Sequence, residues 1–404
     1  MTLAPDLTPH LSGELSRDPF ADLKLQAPDA LLSLIKAYRL DSRPTKIDLG
    51  VGVYRDARGA TPIFHAVKAA EAELLAAQET KAYLGPEGDL GFLDHLSELV
   101  LGDGVDTSDL VGMQTPGGTG ALRLAAEMAA MARPGTRIWL GTPTWPNHPQ
   151  IFEQAGLTLQ TYRHFDPATG AVDFEAVREA LHRAHPGDLV LLHGCCHNPT
   201  GADFTAAQWK QVNALVLERR LIPLIDLAYQ GLGLGLDEDA AGARALFAAA
   251  DNALIAYSCD KNFGLYRERT GALFARARWH ADTVRSTLHF LARCAWSMPP
   301  DHGAAVVRLI LQSPELSRLW RGELTAMRQR LSAMREAVAT ALPALAPVRG
   351  QHGLFSLLPL KPHQVEALRR DAGVYMAGSG RINVAGLNEA NLADFIAALE
   401  AVPD

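Results

Sequence analysis

Lys261 comes shortly after the apolar run Ala253-Leu254-Ile255-Ala256-Tyr257, inside the stretch SCDKNFGLYRERTG. The run reads as a buried strand, and a lysine at the end of such a strand is costly to desolvate unless it is paired or neutral. A neutral lysine amine is the nucleophile of Schiff-base chemistry. The competing reading is a solvated lysine on a loop, where most lysines sit. A hydroxyl, Ser258, precedes it by three residues, and Arg269 follows it by eight.

Other residues able to do chemistry collect where further apolar runs end. LIPLID closes on Asp226, with Tyr229 three residues on. A carboxylate there needs a cationic partner, or it will be neutral. TPGGTGA (Thr115 to Ala121) is a glycine-rich turn opening a helix. It is either an anion cradle of free backbone N–H groups at a helix N-terminus or a plain helix-capping turn. Trp145, in a loop between two prolines, covers the core edge or offers a flat face to an aromatic ligand. HGCCHNPTG (His193 to Gly201) crowds two cysteines with two histidines. Adjacent cysteines splay their side chains and no spaced pair completes a four-ligand set, so no metal is expected. Asn198, ahead of Pro199, would cap a turn or donate an amide hydrogen bond. Gly50 and Gly52 interrupt a strand-like run, marking either close approach of backbone to a ligand or a bulge. An amine, a buried carboxylate, an anion cradle, a flat ring and several arginines together answer the needs of pyridoxal phosphate. It requires an amine for its aldehyde, an anion against its pyridinium nitrogen, a phosphate site and a stacking surface.

Such residues need a scaffold that brings strand ends together. The runs LVLLHG, IPLID and ALIAYS are continuous rather than alternating, as in strands buried on both faces. TRIWL and LTLQTY read as further strands. Helix-length segments lie between them: Gly120 to Arg133, one after Asn147, one from Asp173, and Ala206 to Arg219 with Thr205 as N-cap. Earlier helices are expected at Pro28 to Tyr38 and His65 to Gln78. The alternation implies crossovers and a mainly parallel α/β sheet, with ligands beyond the carboxyl ends of its strands. A long helix, Pro314 to Leu342, breaks this rhythm. The strands and helices beyond it suggest a smaller lobe, which the N-terminal segment joins.

At 404 residues the chain has room for two lobes. Hydrophobic residues at 48% and charged residues at 21% give the composition of a soluble globular protein. A net charge of −7 argues against nucleic acid or an anionic membrane as the main partner. No run approaches the roughly 18 apolar residues of a membrane helix. Cys195, Cys196, Cys259 and Cys294 form no disulfide framework, which points to a reducing cytoplasm. Residues 1–17 are polar and read as a mobile leader, not a signal peptide.

TPGGTGALR, WPNH, HGCCHNPTG, DLAYQG, KNFGLYRERTG and SGRINVAG resemble the signature blocks of the aspartate/aromatic aminotransferase family, class I pyridoxal-phosphate enzymes. The resemblance runs from about Asp18 to the C-terminus. It implies the aspartate aminotransferase-like fold: a large α/β domain with a mainly parallel seven-stranded sheet, plus a smaller α+β domain. The implied division is a segment 18–60 joining the small domain, a large cofactor-binding domain 61–320 and a small domain 321–404. A homodimer with shared active sites is implied as well.

Carried over by motif, Lys261 would form the internal aldimine and shuttle the substrate proton, and Asp226 would pair with the ring nitrogen. Asn198 and Tyr229 would hold the ring's phenolic oxygen, and Trp145 would stack on the ring. Gly118, Thr119, Ser258 and Arg269 would bind phosphate, with Tyr83 reaching over from the other subunit. Arg381 would grip the substrate α-carboxylate, because its planar fork suits that group bidentately. Arg293 would cross the dimer interface to meet a side-chain carboxylate, and Gly52 and Phe355 would line the substrate. The implied reaction is reversible, ping-pong transamination of aromatic amino acids and/or aspartate with 2-oxoglutarate. Strict aspartate specificity, β-elimination or decarboxylation with the same cofactor, and a non-catalytic binding protein are the alternatives. Asp260 departs from the small residue expected just before the lysine; strand alternation, if it persists there, would turn it away from the cofactor, and the competing reading is a nearby carboxylate that raises the aldimine pKa. Trp296 and Met298, beside Arg293, lean the reading toward aromatic substrates.

Overall fold

Residues 20–25, 30–102 and 107–402 are described by the computed structural model, so the expected leader lies outside the described residues. Strands in chain order are β1 (Ile47–Asp48), β2 (Leu110–Pro116), β3 (Arg137–Thr142), β4 (Thr158–Arg163), β5 (Phe165–Asp166), β6 (Ala171–Val172) and β7 (Leu189–His193). They continue with β8 (Ile222–Leu227), β9 (Asn252–Ser258), β10 (Thr270–Ala277), β11 (Phe355–Leu357), β12 (Val374–Tyr375) and β13 (Arg381–Asn383). The helices up to the middle of the chain are α1 (Ala30–Leu40), α2 (His65–Ala77), α3 (Leu90–Leu101), α4 (Gly117–Ala132), α5 (Asn147–Gln154), α6 (Phe174–Arg183) and α7 (Ala206–Glu218). The later ones are α8 (Leu236–Ala249), α9 (Ala281–Ala295), α10 (His302–Gln312), α11 (Pro314–Ala341), α12 (Pro362–Ala372) and α13 (Leu392–Ala401).

Seven strands form one sheet in the order β2-β10-β9-β8-β7-β3-β4. All neighbours are parallel except β10, which runs antiparallel to both β2 and β9. Every residue of β10 is buried. Its side chains alternate between two cores, Ala272 and Phe274 on one face, Leu273 and Ala275 on the other. β9 splits likewise, with Ala253, Ile255 and Tyr257 opposite Leu254 and Ala256. Continuous apolar strands are therefore the cost of covering both faces. Leu122 and Ala125 of α4, with Phe152 of α5 and Leu288 of α9, cover one face. Val177 of α6, Val212 of α7 and Phe247 of α8 cover the other, and that core continues to Leu324, Leu331 and Phe395.

Local signals set the helix starts. Thr205 forms a capping box with Gln208, Asp173 caps α6, and Ser313 caps α11 ahead of Pro314. The run around Gly50 and Gly52 is a two-residue strand, β1, not a longer broken one. Beyond β1 the backbone is captured by a side chain, because Asn383 Nδ2 donates to the carbonyls of Val51 and Val53 at 2.6 and 2.7 Å. β1 pairs in parallel with β12, and β11 pairs antiparallel with β13, outside the main sheet. Among the described residues no helix is long and apolar enough to cross a membrane.

Candidate active site

Asp226 lies near the carboxyl end of β8, level with His193 of β7 and Ala256 of β9. Its Oδ2 accepts a hydrogen bond from Nε2 of the fully buried His148 at 3.1 Å. His148 Nδ1 lies 2.8 Å from the Thr144 hydroxyl, so the tautomer that donates at Nε2 accepts at Nδ1. Burial raises the Asp226 carboxyl, but the His148 hydrogen bond and the charges of His148, His193 and Lys261 outweigh it and hold it below its ordinary value. An anion is thus held at the end of an apolar strand. Trp145, just ahead of α5, stands edge-on to His148 with centroids 5.2 Å apart, and Phe152 stacks on the imidazole at 5.9 Å.

Lys261 follows β9 by three residues, and its side chain is half-buried. Nζ lies 3.4 Å from Ser258 Oγ, 3.9 Å from Asp260 Oδ2 and 5.4 Å from the Tyr229 ring centre. Burial lowers the Lys261 ammonium from its ordinary value against the pull of Asp260 and Asp226. The loop is fixed from behind. Trp320 Nε1 donates to the Asn262 carbonyl at 2.7 Å, Trp320 stacks on Phe263 at 4.4 Å, and Asn262 Nδ2 donates to the Tyr257 hydroxyl at 2.8 Å.

The start of α4 faces this lysine. No side chain caps it, and Gly117 has φ +69°. A Cβ on Gly117 would sit 2.7 Å from Arg269 Nη2, and one on Gly118 would sit 3.2 Å from Ser258 Cβ. Glycine therefore lets the uncapped N–H groups of the helix close on Ser258 and Arg269 to form a cup. Thr119 is exposed at the third helical position. Arg269 itself has φ +54°, a left-handed conformation that costs a side-chain-bearing residue about 1–3 kcal/mol.

Arg381 opens β13 on the opposite side. Its Nη2 donates to the Gly50 carbonyl at 3.0 Å, Nη1 reaches Asn198 Oδ1 at 3.5 Å, and the guanidinium lies 4.4 Å from the Phe355 ring centre. Its Nε is buried without a partner. A Cβ on Gly52 would lie 3.0 Å from the Phe355 ring. Tyr229 meets Phe355 edge-on at 6.1 Å, and burial raises its phenol well above the ordinary value. Buried Arg335 holds β11 by donating from Nη2 to the Phe355 carbonyl at 2.8 Å.

Lys261, Asp226, Tyr229, Asn198, Trp145, Ser258, Arg269, Gly118, Thr119, Gly52, Phe355 and Arg381 are thus gathered around the strand ends. Two further candidates are exposed on the surface. Tyr83 is 93% exposed, and Arg293 is exposed on α9, donating to Ser297 Oγ at 2.5 Å. These are the two residues that the family resemblance assigns to a neighbouring subunit.

Asp260 corrects an expectation. It does not turn away: its Oδ2 accepts from Arg269 Nη1 at 2.5 Å, inside the cup. Strand alternation fails there because β9 ends at Ser258. His148 is the functional residue that reading the sequence missed, although WPNH places it one helical turn beyond Trp145. The cysteines and histidines of HGCCHNPTG point to different places. His193 groups with His148 and Asp226, whereas Cys195 and Cys196 group with Asp239. The Asp239 carboxylate accepts from the N–H groups of Gly231, Gly233 and Leu234, and burial pushes the Cys196 thiol up to about 12.

The family model for class I and II aminotransferases matches residues 44–399. The chain belongs to that family. It is 56% identical over 382 residues to the tyrosine aminotransferase of Rhizobium meliloti (strain 1021), covering 93% of this chain and 98% of the relative. It is 42% identical over 394 residues to the aspartate aminotransferase of Escherichia coli (strain K12), covering 95% and 100%. The solved aromatic-amino-acid aminotransferase from Burkholderia pseudomallei, covalently bound to pyridoxal phosphate, superposes with a TM-score of 0.93 at 39% identity, over 96% of this chain and 100% of that one. Class I and II aminotransferases are pyridoxal-phosphate enzymes. The residues here fit that cofactor: an amine with lowered basicity, a carboxylate kept anionic, and a cup that a Cβ at Gly117 or Gly118 would crowd.

Proposed function

We propose that this aminotransferase moves an amino group reversibly between aromatic amino acids or aspartate and 2-oxoglutarate, by a ping-pong route. The observation that carries the reading is the Lys261 amine, set beside Ser258 and over Tyr229 between the Asp226 anion and the cup. Bound through Lys261, pyridoxal phosphate supplies an electron-poor ring that accepts the electron pair left when an amino acid loses its α-proton. Displaced from the cofactor by the substrate amine, the freed Lys261 Nζ would be placed to take that proton from Cα and return it at the other end of the transfer. Asp226, kept ionised by His148, holds the ring nitrogen protonated and so favours charge that grows in the transition state. Asn198 and Tyr229 would donate to the ring's phenolic oxygen, and Trp145 would cover the ring. Gly118, Thr119, Ser258 and Arg269 would hold the phosphate, joined by Tyr83 of the partner subunit.

Arg381 takes the substrate α-carboxylate with Asn198, Gly52 and Phe355 around it. Arg293 of the partner subunit meets a second carboxylate and swings aside for an aromatic ring. We infer a homodimer with shared sites and, from the cysteine usage, a cytoplasmic location. The reading also divides the chain at residues 60 and 320, and the β1–β12 pairing supports grouping the N-terminal segment with the C-terminal lobe.

Lys261→Ala should abolish turnover and borohydride-fixed attachment of the cofactor; turnover retained by this variant would remove the assignment. Aspartate, tyrosine, phenylalanine and tryptophan should each be assayed with labelled amino nitrogen and 2-oxoglutarate. Label in the product amino acid supports transamination over elimination or decarboxylation. Reaction with aspartate alone would remove the aromatic part of the proposal.

A further inference from the structure

We propose that Asp260 is a resident anion in the phosphate cup, so that this chain binds its cofactor's phosphate together with one proton from solvent. The inference rests on the reading that the cup is the phosphate site.

Asp260 is almost fully buried and borders Gly117, Ser258 and Arg269 of the cup. Oδ2 lies 2.5 Å from Arg269 Nη1 and 3.9 Å from Lys261 Nζ, and it would be 3.2 Å from a Cβ on Gly117. The Asp260 N–H donates to Ser258 Oγ at 3.3 Å. Its other oxygen, Oδ1, is buried with no hydrogen-bond partner. The charged and titratable groups facing it are Arg269, Lys261, whose ammonium burial lowers, and Cys259 and Tyr266. Burial and the Asp260 charge keep the last two protonated. The guanidinium that should receive a phosphate is therefore already paired with a carboxylate, at the helix start where an anion is favoured.

A phosphate dianion entering the cup meets a second anion on the same guanidinium. Like charges sharing one site do not both stay ionised, and one proton relieves the conflict. That proton comes from solvent and bridges Asp260 Oδ1 and a phosphate oxygen, giving Oδ1 the partner it lacks. No covalent bond changes. Without cofactor, the same carboxylate leaves Arg269 paired. By linkage, an extra proton bound with the ligand makes affinity fall about tenfold for each pH unit of increase.

The test is calorimetric titration of apoenzyme with pyridoxal phosphate at pH 6.5, 7.5 and 8.5 in two buffers of different ionisation enthalpy. The unsubstituted protein, Asp260→Asn and Asp260→Ser are compared. Asp260 also raises Lys261, so in each protein the count with pyridoxal, which keeps the aldehyde and lacks the phosphate, is subtracted before the three are compared. The unsubstituted protein should take up about one more proton than either variant, and its affinity should fall about tenfold more per pH unit. If neither variant folds, pyridoxal, which lacks the phosphate, serves on the unsubstituted protein and should bind without the extra proton. Borohydride reduction and peptide mapping report separately where the cofactor sits. Cofactor mapped to Lys261 with equal proton counts, or the same extra proton with pyridoxal, overturns the inference alone. Cofactor mapped elsewhere, or not retained, overturns the phosphate-site reading and the inference with it.

Discussion

Arg381 commits Nη2 to the Gly50 carbonyl and leaves Nε buried without an acceptor. A substrate carboxylate against that edge would receive parallel N–H donors, which an ammonium cannot imitate. Arg381→Lys should therefore lower kcat/KM by about 10–100-fold for every amino donor, the worth of one hydrogen bond between charged groups. Steady-state kinetics with aspartate and tyrosine check this, and a loss confined to aspartate would contradict it. His148 acts one step back from chemistry, by donating to Asp226. His148→Phe removes the donor and leaves burial to raise the carboxyl, so kcat should fall by about 10–100-fold with little change in the KM for 2-oxoglutarate. An unchanged kcat would show that Asp226 stays ionised unaided. Lys261, Asp226 and Arg381 were legible because each ends or opens a recognisable run. The role of His148 was not, since its partner is 78 positions away and no local pattern links them. Asp260 was misjudged because alternation was extended past the last paired residue of β9.

The helix start at Gly117 and the end of β9 form one working element. Its geometry depends on two glycines at which an added Cβ would crowd Arg269 and Ser258. Gly118→Ala would set a methyl 3.2 Å from Ser258 Cβ, and both atoms are tied to backbone. The helix start must then move by a few tenths of an ångström, widening the cup. Overpacking of this kind costs about 1–3 kcal/mol. Pyridoxal-phosphate affinity should weaken about tenfold, since 1.4 kcal/mol is a factor of ten. Spectrophotometric titration of the apoenzyme measures it, and unaltered affinity would mean that α4 is not part of the phosphate site. Elements at this scale were readable where apolar runs were continuous, as in β7, β8 and β9. β10 was missed because TGALFARA is rich in small residues and its burial comes from neighbours on both sides. β2 was hidden by the glycine-rich turn that follows it.

At the scale of the molecule, burial of imidazoles makes stability depend on pH. Burial lowers buried His164 to about 4, and it lowers His193, whose Nε2 is buried without a partner, to about 3. His197, stacked on His164 at 4.1 Å, is lowered further by burial and by its histidine neighbours. Between the ordinary value of 6.5 and those folded values the unfolded chain binds more protons than the folded one. Stability therefore falls as pH drops from about 6.5 toward 3, and His164 and His193 add no further loss below that. Calorimetric melting from pH 7.5 to 4 should show a steadily falling transition temperature; a flat profile would show that the imidazoles charge inside the folded protein. The main sheet was legible at this scale, whereas the proposed sharing of sites between subunits turns on two residues exposed on the single chain, Tyr83 and Arg293. A symmetric dimer would bring the Arg293 of one protomer to the Lys261 of the other. That makes complementation decisive. Lys261→Ala alone should be inactive, and Arg293→Ala alone should lose aspartate turnover while keeping tyrosine turnover. Mixed and reassembled in equal amounts, half of the dimers are hybrids, and one of the two sites in each hybrid has both residues intact. Aspartate activity should return to about one quarter of the unsubstituted value. Recovery absent from a mixture shown by native mass spectrometry to contain hybrids would mean that Lys261 and Arg293 serve the same site from one chain, or that Arg293 serves none.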